Sequence, residues 1–213
     1  MTSAYWPLFD LRITTPDLVL RPMREADLGT VSDLMPTDLE LDPAATRYEI
    51  SDEHRGRGII THQGYWKAYG TWQPSAWRLG FVVLSGSDVV GFQELEGNDF
   101  PLLRTVDTSS FLISSVRGRG FGKQMRRAVL ALAFGPMEAA AAITSAWHDN
   151  HASLGVSRSL GYRPNGETLH AREDDSADVM VHLRLPRSDW LAGDLAKNIE
   201  ISGFDPCRFL FGL

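Results

Sequence analysis

Residues 116–125, VRGRGFGKQM, set glycine at positions 118, 120 and 122 among Arg117, Arg119, Phe121 and Lys123. The stretch follows a run of strand character and leads into a helical period, so the unpaired N–H groups of a helix start would meet several cations there. Glycine lets the backbone approach an anion closely. These properties suit a pyrophosphate cradle. A nucleoside triphosphate loop is excluded, because no Gly-Lys-Ser/Thr closes the stretch to supply a magnesium-binding hydroxyl. A dinucleotide fingerprint fits poorly: the helix follows the fourth strand, and no acidic residue stands at a strand end about 20 residues on.

Carboxylates form the second chemical set. Glu94 and Glu96 are two apart on one strand and so face the same side of a sheet. Asp107 lies on the next strand, and Asp149 follows His148 just before a short helical segment. An ordinary carboxyl titrates near about 4, so a proton-accepting role at neutral pH would need burial to raise it, or a bridging water. Asn150 and Ser153 open that helical segment, where both residue types also serve as caps. His148 and His151 are three apart but lack a third ligand, so no metal site is expected.

Positioning these groups requires a mixed α/β chain. Alternation and turn residues predict strands at 17–21, 77–84, 89–95, 105–113 and 140–146, with a hairpin turn at 85–88 and a closing antiparallel pair from 162 and over 178–185 around the turn REDDSAD. Apolar spacing predicts helices after 22, over 52–72, from Phe121 through Leu132, and over 153–160 before Gly161. Gly56, Gly58, Gly64 and Gly70 make the 52–72 segment a poor or broken helix, and the first RGRG tetrad of the chain, residues 55–58 within it, reads as a solvated glycine-rich loop. In the 121–132 helix, Lys123, Arg126 and Arg127 alternate with the apolar positions. The order suits a mixed sheet of about seven strands flanked by helices, one domain over residues 1–213 with 187–213 as an appendage packed on it.

With 213 residues, 43% of them hydrophobic, the chain can bury a sizeable core. The 21 basic and 27 acidic residues leave a formal charge of −6, which offers no general attraction to nucleic acid or an anionic membrane. Cys207 is the single cysteine, which excludes an internal disulfide and fits a reducing, cytoplasmic interior. No signal peptide or membrane span is read from the sequence.

RGRGFG resembles the pattern Arg/Gln-x-x-Gly-x-Gly/Ala that binds coenzyme A in the GNAT superfamily of N-acetyltransferases, with Arg117, Gly120 and Gly122 at the defining places. Residues 149–162, DNHASLGVSRSLGY, and the opening LVLRPMREADL resemble the RimJ/RimL-like branch; the likeness spans about 17–185. It implies a sheet splayed at an acetyl-CoA site and transfer of the acetyl group to a primary amine by direct attack. The amine would belong to a peptide or protein N-terminus or to a small metabolite or antibiotic. By resemblance, Leu112 and Ile113 are backbone partners of pantetheine, Gly118 through Lys123 hold the pyrophosphate, and Asn150 and Ser153 contact the donor. Asp107 is the first candidate base and Glu94 the second. Glu96, Trp66 and Trp72 would line the acceptor side, where residues 55–58 would form a flap. The tyrosine that many relatives carry seven residues after the helix asparagine is Ser157 here, so Ser153 is expected to protonate the leaving thiolate. No metal is implied, and either a monomer or a homodimer suits the resemblance. That missing tyrosine also admits a catalytically degenerate module that binds coenzyme A or a partner and regulates.

Overall fold

The computed structural model describes residues 4–39, 46, 48, 52–172 and 176–213. The centre of the REDDSAD turn, residues 173–175, lies outside them. Nine strands form one sheet: β1 (Arg12–Thr14), β2 (Val19–Pro22), β3 (Trp77–Ser85), β4 (Asp88–Gly97), β5 (Thr105–Leu112), β6 (Ala141–Trp147), β7 (Arg163–Ala171), β8 (Ala177–Pro186) and β9 (Glu200–Ser202). Their spatial order is β7-β8-β6-β5-β4-β3-β2-β1-β9. Every neighbouring pair is antiparallel except β5 and β6. Beyond the seven strands expected, β1 and β9 extend one edge by pairing with each other through Ile13 and Ile201. Each spans three residues, too few for an alternation to register.

Cross-strand register sorts the sheet into two faces. Leu79 and Leu95 are opposite one another on one face, while Val82, Phe92 and Phe111 line the other. The first face packs on α4 (Phe121–Phe134), whose Met125, Ala128, Val129 and Leu132 are buried in the main core. The second is covered by α1 (Leu28–Asp33) and α2 (Glu53–Gly70), with Leu28, Val31 and Tyr65 in a smaller cluster around Met23 and Phe111. Short helices α3 (Phe100–Leu103) and α6 (Arg187–Leu191) cap strand connections, and α5 (His151–Ser159) follows β6.

Contrary to expectation, α2 runs unbroken through its four glycines. Asp52 caps it by accepting the Arg55 N–H at 3.0 Å. A Cβ at Gly58 would stand 3.6 Å from Ser32, so this glycine lets α1 lie close. The residues after 187 are built into the body: β9 joins the sheet edge, Phe204 and Phe211 are buried, and Phe209 remains exposed.

Candidate active site

The β5–β6 ladder ends at Asp107 beside Ile143, although β5 runs on to Leu112 and β6 to Trp147. Beyond that point the strands diverge, and side chains replace the ladder. Thr144 Oγ1 donates to Thr108 O at 2.9 Å and Thr108 Oγ1 to Ile143 O at 3.4 Å. On the other side β5 stays bonded to β4, where the Ile113 N–H donates to Val90 O at 3.0 Å. Ile113 is therefore not a free backbone donor. Antiparallel alternation turns the N–H groups of Leu112 and Ser110 the opposite way, toward the gap. The Leu112 and Ser110 N–H groups thus face the gap.

The glycine loop sits at the open end of this gap. Gly118 has φ +76° and Gly120 φ +82°, in the left-handed region where a Cβ costs energy. A Cβ at either would meet nothing within 4 Å, so the space above the loop is open. Gly120 is the N-cap of α4 and no side chain caps the helix, which leaves early backbone donors to the loop. Gly122 lies against Val156 and Leu112. Phe121 packs its ring on the core edge, and Arg119 and Lys123 are exposed cations without an ion pair among the described residues. Arg117 is engaged within the protein. Its guanidinium holds both oxygens of Asp38, at 2.5 and 2.9 Å, and Nε donates to Leu112 O at 3.2 Å. This strut ties the end of β5 to the segment after α1, and its pairing holds the Asp38 carboxyl below the usual range.

Asp107, at the apex of the gap, shares a face with Glu96, Glu94 and Ser109. Burial pushes the Asp107 carboxyl up to about 6; the Thr108 N–H on its Oδ1 at 2.6 Å opposes the rise, and the Glu96 charge adds to it. Glu94 and Glu96 both meet Arg78, at 3.5 and 2.6 Å. The acidic surface is thus partly neutralised by a cation that parity of the carboxylates alone does not reveal. Asp149 is not part of it. It accepts from Arg172 at 2.8 Å, in a network with Asp178 and His148 outside the gap.

Asn150 caps α5 by accepting the Ser153 N–H at 3.0 Å. The Ser153 hydroxyl has no partner among the described residues and the side chain is half-buried. Ser157, where relatives carry tyrosine, is buried and donates its hydroxyl to Ser153 O at 3.0 Å, so it is no substitute acid.

The two tryptophans are engaged elsewhere. Trp66 is 54% exposed and its Nε1 donates to Glu25 at 3.2 Å. Trp72 stacks with Tyr69 and Trp77, meets Phe211 edge-on and donates to Leu210 O at 2.7 Å, clamping the C-terminal tail. Tyr65 is the α2 aromatic that turns toward the Phe92–Phe111 surface. Residues 55–58 form neither solvated loop nor flap: they are helical, and Arg57 is buried against Glu53, Leu39 O and Thr37 O.

Sequence reasoning missed Arg126 and Tyr162, both buried beside the apex. The signal for Arg126 lay in spacing: Gly122, Arg126 and Leu130 recur every four residues on α4, and Leu130 is fully buried.

No helix among the described residues is long and apolar enough to cross a membrane, and no cluster of His, Cys, Asp or Glu among them could hold a metal ion. The model of the acetyltransferase (GNAT) domain family matches residues 17–163. Solved structures with the same fold include Mycobacterium smegmatis RimJ in complex with CoA-disulfide, 18% identical over 91% of this chain and 98% of that one, TM-score 0.66. A variant of the spermidine N-acetyltransferase SpeG from Vibrio cholerae is 14% identical over 82% and 96%, TM-score 0.64. A GNAT-family acetyltransferase from Bacillus anthracis is 15% identical over 83% and 99%, TM-score 0.63.

Proposed function

The chain belongs to the GNAT acetyltransferase family, and from that premise we propose that it is a cytoplasmic N-acetyltransferase of the RimJ/RimL-like branch, moving the acetyl group of acetyl-CoA to a primary amine. The pyrophosphate would rest on Gly118 through Lys123, with Arg119 and Lys123 as the available cations. Pantetheine would lie along the open side of β5, where Ser110 and Leu112 turn their N–H groups. The likeness to RimJ with a coenzyme A derivative and to a spermidine N-acetyltransferase supports this reading.

The observation that carries it is Asp107: a carboxyl at the apex of the splay, raised by burial to about 6. An amine arrives as a cation and must lose a proton before it attacks. A buried carboxylate beside Glu94 and Glu96 attracts that cation and, poised near neutrality, accepts the proton. Ser153, with its hydroxyl uncommitted, is the proposed donor to the departing thiolate. The acceptor is a small amine or a peptide amine, in keeping with a surface of carboxylates and the nearby Tyr65 ring.

Asp107→Asn tests this. In the unaltered protein kcat/KM should climb as pH rises through about 6, while the variant should lose on the order of 100-fold and the climb with it. Acetyl-CoA affinity should be unchanged by calorimetry. The same raised pKa makes a stability prediction. The folded state favours the protonated carboxyl, so its contribution is lost as pH rises from about 4 to about 6 and stays lost above. Asp107→Asn should therefore stabilise the fold at pH 8 by on the order of 2 kcal/mol and by little at pH 4. Unchanged turnover with intact acetyl-CoA binding would remove Asp107 from the mechanism.

A further inference from the structure

On the sheet face that carries Asp107, a row of hydrogen bonds crosses three strands on the far side of the splay. Ser145 of β6 stands opposite His182 of β8, and its Oγ lies 2.7 Å from His182 Nδ1. His182 Nε2 lies 2.7 Å from Thr168 Oγ1 on β7, and the same oxygen lies 2.8 Å from His170 Nε2. Neither imidazole forms an ion pair among the described residues; Asp178, across from His170, is held by Arg172 and His148. Hydroxyls and imidazoles both donate and accept, which is what a chain needs to pass a proton. In one of its two directions the Ser145 hydroxyl donates to His182, His182 Nε2–H to Thr168, and the Thr168 hydroxyl to His170. Register places the near end of the chain. Asp107 pairs with Ile143 at the last rung, and the bonds between Thr108 and Thr144 carry the same offset one step further. Ser109 and Ser145 are therefore the next pair, on opposite walls of the gap. Both are exposed, Ser109 backed by Glu94 at 3.4 Å and Ser145 by His182.

We propose that Ser145, through His182, Thr168 and His170, receives the second proton lost by the acceptor nitrogen, a role that rests on the acetyl-transfer reading above. A cationic primary amine must shed two protons to become an amide. Asp107 takes the first, which frees the lone pair. The nitrogen then bonds to the thioester carbon, the carbonyl π pair moves onto oxygen, and the nitrogen is positive again. Asp107 is by then protonated, and Glu94 and Glu96 are paired with Arg78. Ser145 Oγ, on the opposite wall, takes the second proton while its own passes to His182 Nδ1. The Nε2 proton of His182 moves to Thr168 and the Thr168 proton to His170 Nε2, leaving an imidazolium that gives its Nδ1 proton to water. The oxygen pair re-forms the carbonyl, the C–S bond breaks, and the thiolate takes the Ser153 proton. Once Ser153 and Asp107 reset against water, one proton has been released overall. A relay of this kind keeps the positive nitrogen from reverting to free amine before the thiolate leaves.

His182→Asn is the informative variant, since it keeps a polar atom beside Ser145 but has no second ring nitrogen to pass a proton on. With acetyl-CoA and the amine of highest turnover from an acceptor panel, kcat should fall on the order of 10- to 100-fold, with KM for the amine within about twofold. Acetyl-CoA affinity should be unchanged by calorimetry. The melting temperature should stay within about 2 °C, because the chain lies at the surface. Ser145→Ala should lose as much, Ser145→Thr should recover most of it by restoring the hydroxyl, and the double variant should be no slower than either single one, as expected of groups that act as a unit. In mixtures of H2O and D2O, kcat should follow a curved line in the unaltered protein, with more than one proton in flight, and a straight one in Ser145→Ala. A kcat within twofold in both single variants, or a loss confined to KM, would overturn the relay while leaving the acetyltransferase reading intact. If the unaltered protein acetylates no amine, both are overturned.

Discussion

At residues 55–58 the letters RGRG lie inside α2 with Arg57 turned inward, whereas at residues 117–120 the same letters form an open loop whose glycines take positive φ. The difference comes from what precedes each copy. Asp52 caps α2 before the first copy begins, so Arg55 through Gly58 are already helical and their N–H groups continue the ladder. The second copy follows the end of β5, and Gly120 is itself the cap of α4. Composition alone therefore does not make an anion site; a helix start with unspent donors does.

The sharpest way to break this contrast is to place a carboxylate in each copy. Gly120→Glu should weaken acetyl-CoA binding by at least roughly 100-fold, since the new charge faces the pyrophosphate, while Gly56→Glu should leave it within about twofold by calorimetry. Loss of the buried arginine comes next. Arg57→Met removes ties to Glu53 and to two carbonyls and should cost about 2–3 kcal/mol in urea unfolding, whereas Arg117→Met, whose pair with Asp38 is exposed, should cost less than about 1 kcal/mol. The cations of the second copy also divide. Arg119→Ala should weaken acetyl-CoA by roughly 3- to 10-fold, more at low salt, and Arg117→Ala by less, because its guanidinium already belongs to Asp38. Smallest of all, Gly118→Ala should destabilise by about 1 kcal/mol through its φ, and Gly56→Ala should stabilise by about 0.5–1 kcal/mol within a helix that has room for the methyl.

The order of the longer strands and helices from residue 17 to 186 was legible because each shows a period, whereas the four-residue α3 between β4 and β5 left none to read. The α4 stripe, the hairpin at 85–88 and the β7–β8 pair are examples. What escaped reading depends on contacts distant in sequence. The glycines of α2 read as breakers, but packing of its face on α1 and the Arg57 ties hold it straight. Trp66 and Trp72 could not be told from ligand platforms until their indole N–H groups were seen bonded to Glu25 and Leu210. The carboxylates sharing a face were visible from parity, but Arg78 between Glu94 and Glu96 required the pairing of β3 with β4. Arg126 was misplaced outward because charge outweighed its position on the buried stripe.

Mass spectrometry of a panel of amines, including polyamines and short peptides, incubated with acetyl-CoA from pH 5 to pH 8 tests the central claim most directly. The account predicts at least one amine acetylated, at a rate that climbs through about pH 6 as Asp107 ionises. Acetyl-CoA that binds at the second RGRG while no amine is acetylated at any pH would contradict it, and would leave a coenzyme A-binding module in its place.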